Sequence, residues 1–175
     1  SFAGNPLLVD LTDLQSRGWL TDDDLEPVPD FDDHVVDYER VSNYKRSRLR
    51  TAFERFETDA TEEEMAAFDA FREREDSWLE DYALFAALKD EFEGAWIDWP
   101  EELKTRDSDA LAHARDEHED EIRYREFVQF CFDDQWHEVA DYAEEKGITL
   151  VGDLPIYVAL DSADHLPVYG AAAGA

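Results

Sequence analysis

The sequence has 175 residues, enough for one domain with a sizeable core, and its 43% hydrophobic and 13% aromatic content excludes an intrinsically disordered chain. Asp and Glu number 46 against 16 Lys and Arg, giving a net charge of −30. That charge repels nucleic acid phosphates and anionic membranes and argues against both as partners.

Elements follow in chain order. Residues 1–11 read as a turn around Asn5-Pro6 followed by an apolar run, and Asp13 to Gly18 as a short helix stopped by glycine. Trp19 to Phe31 is acidic and carries Pro27 and Pro29, which predicts a surface connection. Leu49, Ala52, Phe53 and Phe56 recur at helical spacing and predict one buried face. Thr61 followed three residues later by Glu64 is the spacing of a capping box, in which hydroxyl and carboxylate satisfy the free backbone donors of a helix start. Met65, Phe68 and Phe71 continue a buried stripe, and Leu79, Tyr82, Ala83, Ala86 and Leu88 carry a further helix to about Asp90.

Gly94 to Pro100 breaks the pattern. Ser108 then caps a helical stretch that reaches Lys146, with Gly147 as its stop. A straight helix of that length would span roughly 58 Å, so a bend or break is expected, placed before Phe127. Ile148 to Asp153 reads as a short buried strand with a polar end, and helix, glycine, strand is an αβ unit. Residues 165–175 lack periodicity and are expected to be mobile. One convincing strand with nothing to pair with predicts pairing partners outside this sequence.

Chemistry-bearing residues are harder to single out. Carboxylate pairs are uninformative in so acidic a chain. Cys131, the only cysteine, lies in the apolar stretch Phe127 to Phe132 and reads as a buried, inert thiol. His113 and His118 fall on different helix faces, and the second His of a helical zinc site is missing, so no metal site is expected. Trp78, Trp96, Trp99 and Trp136 could stack on sugar rings, although the area an aromatic ring buries favours packing for each. Asp153 sits where a barrel strand would end and a loop begin, among apolar neighbours that would partly desolvate it. Position alone fits a turn cap as well as a site residue. No run approaches the roughly 18 apolar residues of a membrane span and no signal peptide opens the chain, so the expected location is cytoplasmic.

Four stretches together resemble the amylomaltases, the 4-alpha-glucanotransferase or disproportionating-enzyme family. They are Ser1 to Leu11 with its Phe-Ala-Gly-Asn-Pro segment, Val36-Asp37-Tyr38 with Lys45, Ala70 to Lys89, and Gly147 to Asp164. The resemblance implies an α/β fold, a partial (β/α)8 TIM barrel with a large, mainly helical insertion. Residues 1–12 would be a barrel segment after an early strand, 13–146 the helical insertion, 147–164 a barrel strand with active-site loop, and 165–175 a divergent tail. It implies transfer of an α-1,4-glucan segment to the 4-hydroxyl of another sugar with retained configuration, by two carboxyls flanking the bond. The implied partners are maltooligosaccharides or α-1,4-glucans, and no cofactor is required.

The family's nucleophilic Asp, acid/base Glu and third essential Asp belong to motifs that do not occur in this sequence. No catalytic residue is therefore carried over, and only Asp153 transfers, as a substrate-binding carboxylate. Asn5 reads as a turn residue. The chain is expected to be a truncated family member, inactive alone. The alternatives are a sugar-binding remnant and an acidic helical interaction module. Acidic excess with only four lysines predicts a halophilic type.

Overall fold

The computed structural model describes residues 2–92, 94–153, 157 and 159–164. The chain is helical throughout its regular part. Helices α1 (Leu11–Ser16), α2 (Asp22–Leu25), α3 (Tyr38–Asp59), α4 (Glu62–Arg74), α5 (Leu79–Glu91), α6 (Glu101–Lys104), α7 (Ser108–Glu117) and α8 (Glu119–Glu145) follow one another, with single 3₁₀ turns at Pro6–Leu8 and Trp96–Asp98.

α8 is the organising element and packs against α3, α4, α5 and α7. Residues 126 to 131 along it are all buried. A helix buried on every side over a full turn needs partners for any polar side chain there. Both polar residues have one. Glu126 accepts from Arg72 Nε at 2.7 Å, and Gln129 binds the backbone of Gly4.

Two apolar clusters flank this helix. The larger gathers Val9, Leu14 and Trp19 from the N-terminal segment, the Leu49, Ala52, Phe53 and Phe56 face of α3, Phe68 and Phe71 of α4, and Phe127 and Phe130 of α8. The smaller joins Ala83, Leu84, Ala87 and Leu88 of α5 to Trp96, Trp99, Leu103 and Leu111. The predicted α3 stripe is thus the core face. The capping box is present as read: Thr61 Oγ1 accepts from the Glu64 amide, and Glu64 accepts from the Thr61 amide at 2.7 Å.

Several expectations need correction. Trp19 to Phe31 is not all surface, because Trp19 and Leu20 are buried. It also holds α2, opened by a second capping box between Thr21 and Asp24. The long helical stretch is capped by Asp107 rather than Ser108, since the Asp107 carboxylate accepts from the amides of Asp109 and Ala110. Its break lies at His118, not just before Phe127, which is mid-helix and fully buried. His118 leaves helical geometry there and its Nε2 lies 2.8 Å from Glu91 of α5. The following Glu119, Asp120 and Glu121 place negative charge at the positive end of α8.

The largest correction concerns the predicted strand. No residue from Ile148 to Asp153 is in a strand, and none of them is buried. Ile148 is 57% exposed and Val151 89%. A strand exists only as a hydrogen-bonded pair, and no second strand occurs among the described residues. Gly147, at φ +69°, does stop α8 as expected. The loop residues Leu154 to Ile156 and Val158, and the tail 165–175, lie outside the described residues.

Candidate functional site

One cleft, of about 460 Å³, is built from three parts of the chain that are distant in sequence: Phe2 to Gly4, the start of α5, and Asp161 to Asp164. Trp78, the N-cap of α5, and Asp81, Tyr82 and Phe85 within α5 line it. These positions are spaced i, i+3, i+4 and i+7, so they share one helix face. The opposite face, Leu79, Ala83, Leu84, Ala87 and Leu88, is buried. One side of α5 thus serves the core and the other a cleft wall.

The first wall is held by a glutamine. Gln129 of α8 accepts from the Gly4 amide at 2.7 Å, and its Nε2 donates to the Gly4 carbonyl at 3.0 Å. The side chain thus imitates a strand edge and fixes the Gly4 backbone. A Cβ at Gly4 would lie 2.1 Å from the Phe132 ring, so only glycine allows this approach. Six residues further along α8, Gln135 repeats the device on Asp10, accepting from its amide at 2.8 Å and donating to its carbonyl at 3.1 Å. Phe2, held in this way, stacks on Trp78 with ring centroids 6.2 Å apart and 26° between planes.

The second wall is stapled to the end of α5. Asp161 accepts from Lys89 Nζ at 2.8 Å and from the Trp96 amide at 3.0 Å, and Trp96 Nε1 donates to the Leu160 carbonyl at 2.6 Å. The Lys89 hydrogen bond and then the Trp96 amide hold the Asp161 carboxyl below its ordinary range. On the third side, Arg106 donates to both oxygens of Asp81 at 2.8 and 2.9 Å. Arg106 is at φ +58°, a conformation costly for a residue with a side chain, and the ion pair with Asp81 accompanies it.

The residues expected to act are differently placed. Asp153 is exposed, with Gly152 and Val151 beside it also exposed, so its anticipated partial desolvation is not found. It does not line the cleft. Asn5 is a turn residue, accepting from the Leu7 amide at 3.0 Å to cap the 3₁₀ turn. Cys131 is buried, and burial pushes its thiol well above its ordinary value, as an inert thiol requires. His113 faces Glu117 and His118 faces Glu91, and no group of three or more potential metal ligands occurs among the described residues. Trp96 and Trp99 are core residues, whereas Trp136 is 49% exposed. Trp78 is half-buried and packs against the larger core cluster, as the packing expectation has it, while the rest of its ring lines the cleft. Sequence reasoning missed the cleft as such. The spacing of Trp78, Asp81, Tyr82 and Phe85 is a visible signal, but the facing Asp161 segment is not inferable from it. No described helix is long and apolar enough to cross a membrane.

Comparison with known proteins places these features in a family. The family model described as 4-alpha-glucanotransferase matches residues 1–167. The chain is 44% identical over 165 residues to a 4-alpha-glucanotransferase of Thermus thermophilus, covering 94% of this chain and 32% of that protein. It is 37% identical over 167 residues to one of Clostridium butyricum, covering 94% and 33%. Among solved structures it matches the amylomaltase of Streptococcus agalactiae in complex with acarbose, with a TM-score of 0.86 and 34% identity, over 93% of this chain and 33% of that one. The chain therefore spans about a third of the length of these relatives.

Proposed function

We propose, on the premise that the chain belongs to the 4-alpha-glucanotransferase family, that it forms part of the substrate-handling region of an enzyme moving α-1,4-glucan segments between maltooligosaccharides with retention. The observation that carries the reading is convergence. Three of the four stretches that resemble amylomaltases, far apart in sequence, meet at one cleft lined by aromatic rings and carboxylates. Aromatic faces with hydroxyl-accepting carboxylates suit sugar rings. Retaining transfer also needs a nucleophilic carboxylate and an acid/base carboxyl across the glycosidic bond. No residue of this chain takes either role, and turnover of maltotriose by this chain alone is expected to be absent.

In this reading residues 1–12 and 147–164 belong to a (β/α)8 barrel and 13–146 to its helical insertion, with 165–175 a divergent tail. Ile148, Leu150 and Val151 support it as exposed apolar side chains close together, of the kind that the two covered faces of a parallel barrel sheet bury. Asp153 would then stand at the carboxyl end of that strand, where barrel enzymes carry their sites, as a carboxylate accepting from sugar hydroxyls. Calorimetric titration with maltoheptaose tests the assignment. Saturable binding weakened at least tenfold by Asp153→Ala is expected, about 1.4 kcal/mol or more. Equal affinity of the variant and the parent chain would remove Asp153 from the site.

The chain is further read as a cytoplasmic, halophilic family member. With a net charge of −30 and ion pairs mostly at half-exposed positions, self-repulsion dominates unless salt screens it. The melting temperature is expected to rise steadily as KCl is raised from dilute to molar concentration. A melting temperature indifferent to salt would contradict this.

A further inference from the structure

We propose that a separate pocket, bounded by the Pro6–Leu8 turn, α3 and α8, is an anion site that takes a phosphate group through Lys45, Arg46 and Arg125. It shares no residue with the cleft or with Asp153 and does not depend on the glucan reading.

The first observation is the lining. Acidic residues outnumber basic ones 46 to 16 in the sequence, yet Lys45, Arg46 and Arg125 line this pocket and no described carboxylate does. Ser42 and Tyr124 add hydroxyls. The volume is about 170 Å³. That is below the roughly 300 Å³ at which sites for drug-sized ligands begin, so a small ion or the end of a larger molecule fits.

The second is the local balance of charge. Arg125 bonds Asp90, and Arg46 stands 3.9 Å from the same carboxylate, at the edge of ion-pair range. Arg125 and Arg50 likewise share Glu121. Lys45 donates to the Val9 carbonyl at 2.7 Å, a neutral acceptor, and forms no ion pair among the described residues. Lys45, Arg46, Arg50 and Arg125 thus have only Asp90 and Glu121 between them. Burial pushes the Lys45 amine below its ordinary value, with the charge of Asp10 acting against that shift. An added anion would offset the surplus. Salt keeps the rest of the chain from cancelling it. At physiological ionic strength the field of a charge fades over about 8 Å, so the cations at the pocket outweigh remote carboxylates on a chain of net charge −30.

The third is that the donors are already in place. Lys45 is tied to Val9, and the Tyr124 ring carries the guanidinium groups of Arg50 at 3.7 Å and Arg125 at 5.3 Å. Tyr124 is 2% exposed and its hydroxyl is bonded to no described residue. Guanidinium forks, an ammonium and hydroxyls together match the several acceptor oxygens of a phosphate group better than they match a monatomic anion.

The test is an amide chemical-shift titration of the isotopically labelled chain with inorganic phosphate and with methyl phosphate, in KCl held at one ionic strength at which the chain is folded. Saturable shifts are expected at Leu7, Ser42 and Arg46. Binding of methyl phosphate assigns the pocket to the phosphate end of a larger molecule, and binding of inorganic phosphate alone assigns it to the free ion; either bears out the proposal. Arg46→Gln alters a side chain that is 60% exposed, so the fold does not rest on it. It should weaken binding about tenfold, the scale of one lost charge-assisted fork. Lys146→Gln makes the same change in net charge at the end of α8, outside the pocket, and should leave the affinity unchanged. Shifts that rise without saturating, or that saturate equally in Arg46→Gln and the parent chain, would overturn the proposal. So would equal weakening by Arg46→Gln and Lys146→Gln, because the effect would then be one of overall charge. None of these results bears on the glucan reading.

Discussion

Replacing Phe56 by alanine is expected to lower the unfolding free energy by about 3–5 kcal/mol. Phe56 is fully buried and sits where α3, α4, α8 and the N-terminal segment meet. Its ring stands edge-on to Trp19 at 5.0 Å and to Phe68 at 5.5 Å, and lies tilted against Phe127 at 4.9 Å. Truncation removes the buried ring and leaves a cavity walled by three other aromatics that are themselves locked by neighbours. They cannot collapse into the space, which places the loss in the upper part of that range. Phe56→Leu retains most of the volume and should cost less. Urea denaturation followed by tryptophan fluorescence, at a salt concentration that keeps the parent folded, measures both. A loss below about 1 kcal/mol for the alanine variant would mean that this cluster is not the core.

Arg72→Met is the second large effect, and its size should depend on pH. Glu126 is 4% exposed in the middle of α8, and Arg72 is the cation bonded to its carboxylate. Removing one partner of a buried pair leaves an uncompensated charge, at a cost of about 3–5 kcal/mol. Arg72 keeps a 40% exposed side chain, so the lower end applies. Burial raises the Glu126 carboxyl above its ordinary value, with Arg72 acting against that rise. The folded state therefore holds a proton over a pH range in which the unfolded state has released it. By linkage the contribution of this group is fully present below the unfolded pKa and is lost as pH rises through the folded one. Without Arg72 the folded value moves higher still. The variant should accordingly be hurt more at pH 7.5 than at pH 4.5, where protonation of Glu126 relieves the unpaired charge. Equal losses at the two pH values would contradict this.

What could be read from the residues follows from how each signal is written. The stripe Leu49, Ala52, Phe53, Phe56 is local and periodic, and it became the core face of α3. The Thr61–Glu64 box stood out because an apolar stripe follows it. The same box at Thr21–Asp24 was hidden in a run where every nearby residue is acidic. Ile148 to Val151 has the composition of a strand, but composition cannot supply the second strand that a ladder needs. Gln129 was a missed signal: a polar residue inside Phe127 to Phe132 has to find buried partners, and it found the Gly4 backbone, 125 positions away. Of the site, the α5 face was legible as spacing. The wall opposite was not, because Asp161 reaches Lys89 across 72 positions and only the folded chain brings them together.

The central claim is that this chain handles α-1,4-glucan through residues gathered from its two ends and α5. A crystal structure of the chain grown with maltoheptaose tests it most directly. Sugar rings are expected against Phe2 and Trp78, within hydrogen-bond reach of the Asp161–Asp164 segment. A crystal in which that cleft is open to solvent and holds no sugar, while maltoheptaose sits on an unrelated surface or is not bound at all, would contradict it.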